Sequence, residues 1–111
     1  MRLSAFDLGW LAGYLEAEGW FGAYHVADRP NRKPIIGVNS TDQDVVQKLA
    51  ALFGRNWNGP YKPSGSLGKK LRYSTRLTDS AAVALARKLQ PFMGVRRRQQ
   101  IDKMLATRPQ F

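Results

Sequence analysis

With 111 residues, no cysteine and one histidine, the chain has neither a disulfide framework nor the ligands of a thiolate or histidine-rich zinc site. Its net charge of +10 and pI near 10.6 point to a polyanionic partner, nucleic acid ahead of a membrane surface. The start, MRLSAFDLGW, has no signal-peptide pattern, and no apolar run reaches the roughly 18 residues of a membrane span, so a soluble protein with one domain over residues 1–111 is expected.

Ser4 and Asp7 form an S-x-x-D capping box, which starts a first helix at about Ala5. Leu8, Trp10, Leu11, Tyr14 and Leu15 make it apolar nearly all round, while Gly9, Gly13 and Ala17 recur at four-residue spacing and leave one face bare. A neighbouring backbone can approach such a face closely. Glu16 and Glu18 fall where the helix ends, and Gly19 is expected as its left-handed cap. Carboxylates at that end oppose the helix dipole, so a positive charge is expected beside them.

From Trp20 to Asp28 the pattern alternates as a strand, with Phe21, Ala23 and His25 on the inner face and Trp20, Gly22, Tyr24 and Val26 on the outer one. On this reading His25, Trp20 and Tyr24 are packing residues rather than ligands or base stackers. Arg29 to Arg32 is a turn, and Lys33 to Asn39 returns as an antiparallel strand. Thr41, with Asp44, caps a second helix carrying Val45, Val46, Leu49, Leu52 and Phe53, which Gly54 ends. Asn56 to Lys62 is a weak strand interrupted by Pro60, and Pro63 to Gly68 is a turn. Lys69 to Leu77 is the clearest strand: Leu71, Tyr73, Thr75 and Leu77 point inward, and Lys70, Arg72, Ser74 and Arg76 point outward. Thr78 or Asp79 caps a third helix that ends near Gln90, before Pro91, and a last helix covers about Arg96 to Ala106.

Charge is distributed unevenly along these elements. Residues 1–28 hold Arg2 against Asp7, Glu16, Glu18 and Asp28, a balance of −3, which leaves +13 for the rest of a chain whose total is +10. An acidic cluster inside a basic protein suits a metal site within a phosphate-binding surface.

The stretch LAGYLEAEG, residues 11–19, resembles the signature of the LAGLIDADG homing endonucleases, with Glu16 and Glu18 in place of its two acids. The resemblance covers about residues 4–106 and implies an α+β fold of αββαββα order, whose four-stranded antiparallel sheet sits on double-stranded DNA. It implies Mg²⁺, with Mn²⁺ or Ca²⁺ as substitutes, held by Glu18 and main-chain oxygen such as that of Ala17. One motif per chain implies a homodimer joined along Gly9, Ala12, Gly13, Glu16 and Ala17. The activity implied is staggered cleavage of a long pseudo-palindromic site by the product of a mobile intron or intein. That places the protein inside a cell, in bacterial or phage cytoplasm or an organelle.

A second similar segment, LQPFMGVRRRQQ (89–100), puts Arg96 at the position of the family's active-site lysine. Arginine there can stabilise charge on phosphorus but cannot serve as a general base. The family's water-ordering polar residue corresponds to Asn39 or Ser40, with Gln43 as a further candidate. The outward set Tyr24, Lys33, Asn39, Lys62, Ser64, Lys70, Arg72, Ser74 and Arg76, with Arg97 and Arg98, is expected to meet DNA, Arg72 and Arg76 reading base edges. A non-cleaving DNA-binding regulator and an RNA splicing maturase are the alternative readings of the same surface.

Overall fold

A computed structural model of the chain describes residues 2–25, 32–62 and 70–107. Helix α1 spans Ala5–Glu18, and Ser4 Oγ accepts from the Asp7 amide at 3.0 Å, which supplies the expected N-terminal cap. Strands β1 (Trp20–His25) and β2 (Arg32–Ser40) follow, then α2 (Gln43–Phe53), β3 (Trp57–Tyr61), β4 (Arg72–Thr78) and α3 (Asp79–Leu89). A 3-10 turn over Gln90–Phe92 leads into α4 (Val95–Thr107). This is the predicted order of elements, and no described helix is long and apolar enough to cross a membrane.

The strands form one antiparallel sheet in the order β1-β2-β4-β3. Helices α2 and α3 pack on β2 and β4, and α4 packs on β1 and β2, so one sheet face is covered and the other stays open. Alternation along each strand dictates which residues meet the helices. Phe21, Ile36, Val38, Thr75 and Leu77 are buried against Leu11, Leu15, Leu49, Phe53, Leu85, Leu89, Ile101 and Met104. Each fully buried leucine contributes about 1.5–3 kcal/mol of apolar transfer energy, which makes this layer the main source of stability.

Three local expectations are corrected. Gly19 is extended, with φ −80° and ψ 162°, because the chain passes straight from α1 into β1; a Cβ there would lie 2.8 Å from the Leu15 side chain. Glycine is needed for close approach, not for handedness. The N-cap of α2 is Asp42 rather than Thr41, since Ser40 Oγ accepts from the Asp42 amide at 3.0 Å and β2 runs on to Ser40. Leu71 precedes β4 and is exposed, whereas alternation holds from Arg72 onward. The last helix opens at Val95, within one residue of its expected start, after a 3-10 turn over Gln90–Phe92. The expected turns at Arg29 to Arg32 and Pro63 to Gly68, the outward residues Val26, Asp28 and Ser64, and the side chain of His25 lie outside the described residues.

Candidate functional site

The open sheet face carries cross-strand rows set by register. Trp20 on β1 faces Gly37 on β2, which faces Arg76 on β4; one row along, Asn39 pairs with Ser74, and Ser74 with Asn58. These residues, together with Glu18 and Tyr61, line a groove of about 540 Å³. Glu18 is the one carboxylate among the described residues that line it, and it is exposed. Apart from Ile35, Gly37 and Val38, the rest of the lining is amide, hydroxyl, guanidinium and indole, groups that can meet both phosphate oxygen and base edges.

Two of the predicted DNA contacts are tied together. Arg72 Nε donates to Asn39 Oδ1 at 2.5 Å, and the Asn39 amide donates to the Tyr61 hydroxyl, so three strands hold one polar chain on the open face. Tyr61 and Asn58 escape sequence reading because Pro60 and a register shift between Asn58 and Tyr61 obscure the alternation of β3. Lys62 and Lys70 are exposed, just after β3 and just before β4. Lys33 is engaged within the fold, its Nζ 3.6 Å from Asp79 Oδ1, while its cross-strand partner Tyr24 is half-buried.

The positive charge expected at the end of α1 is present in the chain itself. Arg97, only 8% exposed, donates from Nε to the Glu16 carbonyl at 2.9 Å and from a terminal nitrogen to the Ala17 carbonyl at 3.5 Å. Its other terminal nitrogen donates to Gln100 Oε1 at 2.9 Å. The prediction that Arg97 contacts DNA is therefore corrected: its fork is spent on the last carbonyls of α1, where the dipole is negative. Glu16 is corrected likewise, because its Oε1 accepts from the Gly94 amide and its Oε2 lies 4.0 Å from Arg97. This carboxylate braces its own protomer. Ala12 also leaves the predicted interface set, since it is buried in the protomer's core beside Leu11 and Leu15.

What remains of that set is open. Gly9, Gly13 and Ala17 are exposed, and a Cβ built on either glycine would meet nothing within 4 Å beyond its chain neighbours and its own helix backbone. Arg96 and Arg98 are exposed on the first turn of α4 and are not among the residues that line the Glu18 groove. Arg98 instead lines a second groove with Arg87, Gln90 and Asp102.

Tyr14 on α1 lies near Ser40, Glu18 and Asp42, and Ser40 Oγ accepts from the Asp42 amide. Burial raises the Tyr14 phenol above its ordinary 10.0, with Glu18 and Asp42 adding in the same direction and the Ser40 hydrogen bond opposing. Tyr14 is stacked on Trp10 at 5.3 Å, and Lys48 Nζ lies 4.1 Å from the Trp10 ring centroid. Ser40 is thus held by the Asp42 amide at the start of α2, near Tyr14 of α1. No group of three or more His, Cys, Asp or Glu side chains suited to a metal occurs among the described residues. A single protomer supplies one groove carboxylate and main-chain oxygen, donors of the hard-oxygen class that Mg²⁺ takes.

No protein-family model and no curated protein sequence matches the chain. Among solved structures it is similar to an archaeal intron-encoded homing endonuclease, I-Vdi141I, complexed with DNA, with a TM-score of 0.62 and 19% identity over 86% of this chain and 63% of that one. It is also similar to the LAGLIDADG homing endonuclease I-GzeII in complex with a DNA target, with a TM-score of 0.56 and 20% identity over 96% of this chain and 37% of that one. The chain spans less than two thirds of the length of either. Element order, antiparallel sheet and structural likeness agree that it has the LAGLIDADG homing-endonuclease fold.

Proposed function

We propose that the chain is a site-specific DNA endonuclease of the homing type, acting as a homodimer in which each subunit cuts one strand of a pseudo-palindromic duplex. The observation that carries this reading is the position of Glu18: an exposed carboxylate at the mouth of an amide- and guanidinium-lined groove, at the end of a helix whose Gly9, Gly13 and Ala17 face is bare. Packing two copies of α1 on that face sets two Glu18 carboxylates beside one two-fold axis. A close pair of acids needs a cation, and its oxygen donors suit Mg²⁺, Mn²⁺ or Ca²⁺. Mg²⁺ held there would supply Lewis acidity at the phosphate and positive charge for the leaving oxygen.

The remaining work belongs to the chain's own groups. Glu18 and main-chain oxygen near Ala17, whose own carbonyl also accepts from Arg97, would hold the metal, and Ser40 would order water near Glu18. Lys62, Lys70 and Arg98 grip backbone phosphate, while Asn39, Arg72, Ser74 and Arg76 meet base edges in the major groove. Arg96 stabilises extra negative charge on phosphorus as the bond is exchanged. Such an enzyme acts within a cell, and its gene is lodged in an intron or intein.

The test uses purified protein, Mg²⁺ and a library of duplex DNA. Specific double-strand cuts are expected, and they should vanish in Glu18→Gln while binding survives. Binding without cutting would favour a non-cleaving regulator, and preference for structured RNA without DNA cleavage would favour a maturase. A strict monomer at micromolar concentration, measured by light scattering with and without DNA, would remove the shared site.

A further inference from the structure

Trp20 is half exposed, at 50%, on the open face of the sheet, two residues beyond Glu18. Sequence alternation treats an indole in a strand as a packing residue, yet here no side chain covers its outer surface enough to bury it. What lies beneath it is unusual. A Cβ on Gly22 would fall 2.8 Å from Trp20 Cζ2, and a Cβ on Gly37 would fall 3.3 Å from Cε3. Gly22 is two residues along the same strand face, and Gly37 is the direct cross-strand partner. The two positions at which any side chain would lift the ring are both glycine, so the indole lies flat across β1 and β2 with one face on backbone and the other toward the groove.

A ring in that attitude cannot wedge between base pairs, because it presents its face rather than its edge. It offers a flat apolar plate in the same cross-strand row as Arg76, separated from it by Gly37. Among base-edge groups in the major groove, the thymine C5-methyl is the apolar one, and it distinguishes thymine from cytosine. Arg76, alongside, has the donors for guanine O6 and N7.

Resting on the reading of the open face as a DNA surface, we infer that Trp20 is a specificity-determining residue that takes thymine methyl groups, next to a base pair read by Arg76. Burying one methyl against the ring is worth about fourfold in affinity. The chain holds Trp10 and Trp57 as well, so the readout is sequence preference rather than indole fluorescence.

The experiment is selection of duplex DNA from a randomised library by Glu18→Gln protein in Ca²⁺, with Trp20 intact or replaced by Ala. Binding is then remeasured on the selected site with each thymine replaced by uracil, which removes only the methyl. The expected result is a loss of about fourfold at one thymine per half-site for the Trp20 protein, no loss there for Trp20→Ala, and an Arg76-dependent guanine nearby. Equal sensitivity of both proteins to uracil, or of neither, overturns the inference and leaves DNA binding intact. Failure to enrich any duplex overturns the DNA reading as well. The uracil comparison within the intact protein needs no Trp20 substitution, so misfolding of the alanine variant does not protect the proposal.

Discussion

The Nε of Arg97 on α4 donates a 2.9 Å hydrogen bond to the carbonyl of Glu16 on the last turn of α1, across a sequence separation of 81 residues. A helix that ends on two carboxylates lacks the basic last turn that would offset its dipole. Arg97 supplies that charge from another element, and Glu16 returns the contact by accepting from the Gly94 amide and facing the guanidinium. The start of α4 and the end of α1 are therefore one unit, and Glu18 projects from it.

Replacing Arg97 with methionine leaves two helix carbonyls without their donor and removes the cation facing the Glu16 carboxylate, to which the Gly94 amide still donates. A loss of about 2–3 kcal/mol in unfolding free energy is expected, read from urea denaturation. Arg97→Lys should restore only part, since an ammonium lacks the fork that reaches both carbonyls. A change below about 0.5 kcal/mol for methionine would show that the contact is incidental.

Glu18→Gln removes a negative charge from the negative end of α1. The protein should melt no lower than the wild type, because the substitution relieves an unfavourable dipole interaction and disturbs no core packing. A clear drop in Tm would mean that Glu18 holds the fold together, and its loss of cleavage could then not be read as chemistry.

The Asn39 side chain accepts from Arg72 and donates to Tyr61, so removing it frees both partners. Asn39→Ala and Arg72→Ala should each weaken DNA binding, and the double variant should lose less than the sum by about 0.5–3 kcal/mol of coupling. Strict additivity in a double-mutant cycle would separate the two residues.

Gly54 ends α2 at φ +66°, and no atom lies within 4 Å of a Cβ placed there. Gly54→Ala should therefore cost about 1 kcal/mol from backbone conformation alone. A neutral result in urea denaturation would show that α2 can end elsewhere.

Burial keeps the Tyr14 phenol protonated above the pH at which the unfolded chain loses that proton, near 10.0. Between 10.0 and the raised value the folded state binds more protons, so stability is intact below that window and falls as pH rises through it. Tyr14→Phe should lose less stability than the wild type between about pH 9 and pH 11. Equal losses would place the alkaline transition elsewhere.

Much of this architecture is legible in local pattern. Ser4 and Asp7 start α1, period-two alternation assigns Phe21, Thr75 and Leu77 inward, and Gly54 stops α2, because caps and side-chain periods depend on neighbours within a turn or two. The two acids at the end of α1 were legible for the same reason. Local pattern does not say which cation goes to which carbonyl. Arg96, Arg97 and Arg98 are consecutive and chemically alike, yet the pitch of α4 turns Arg97 into the protomer and leaves its neighbours exposed. The same holds for Trp20, which alternation alone places on the outer face, but whose flat seat exists only because register sets Gly37 opposite it. Sequence determined the elements and their faces through short-range sterics and burial period; tertiary structure decided the partners, because register and helix docking join residues that chain distance does not relate.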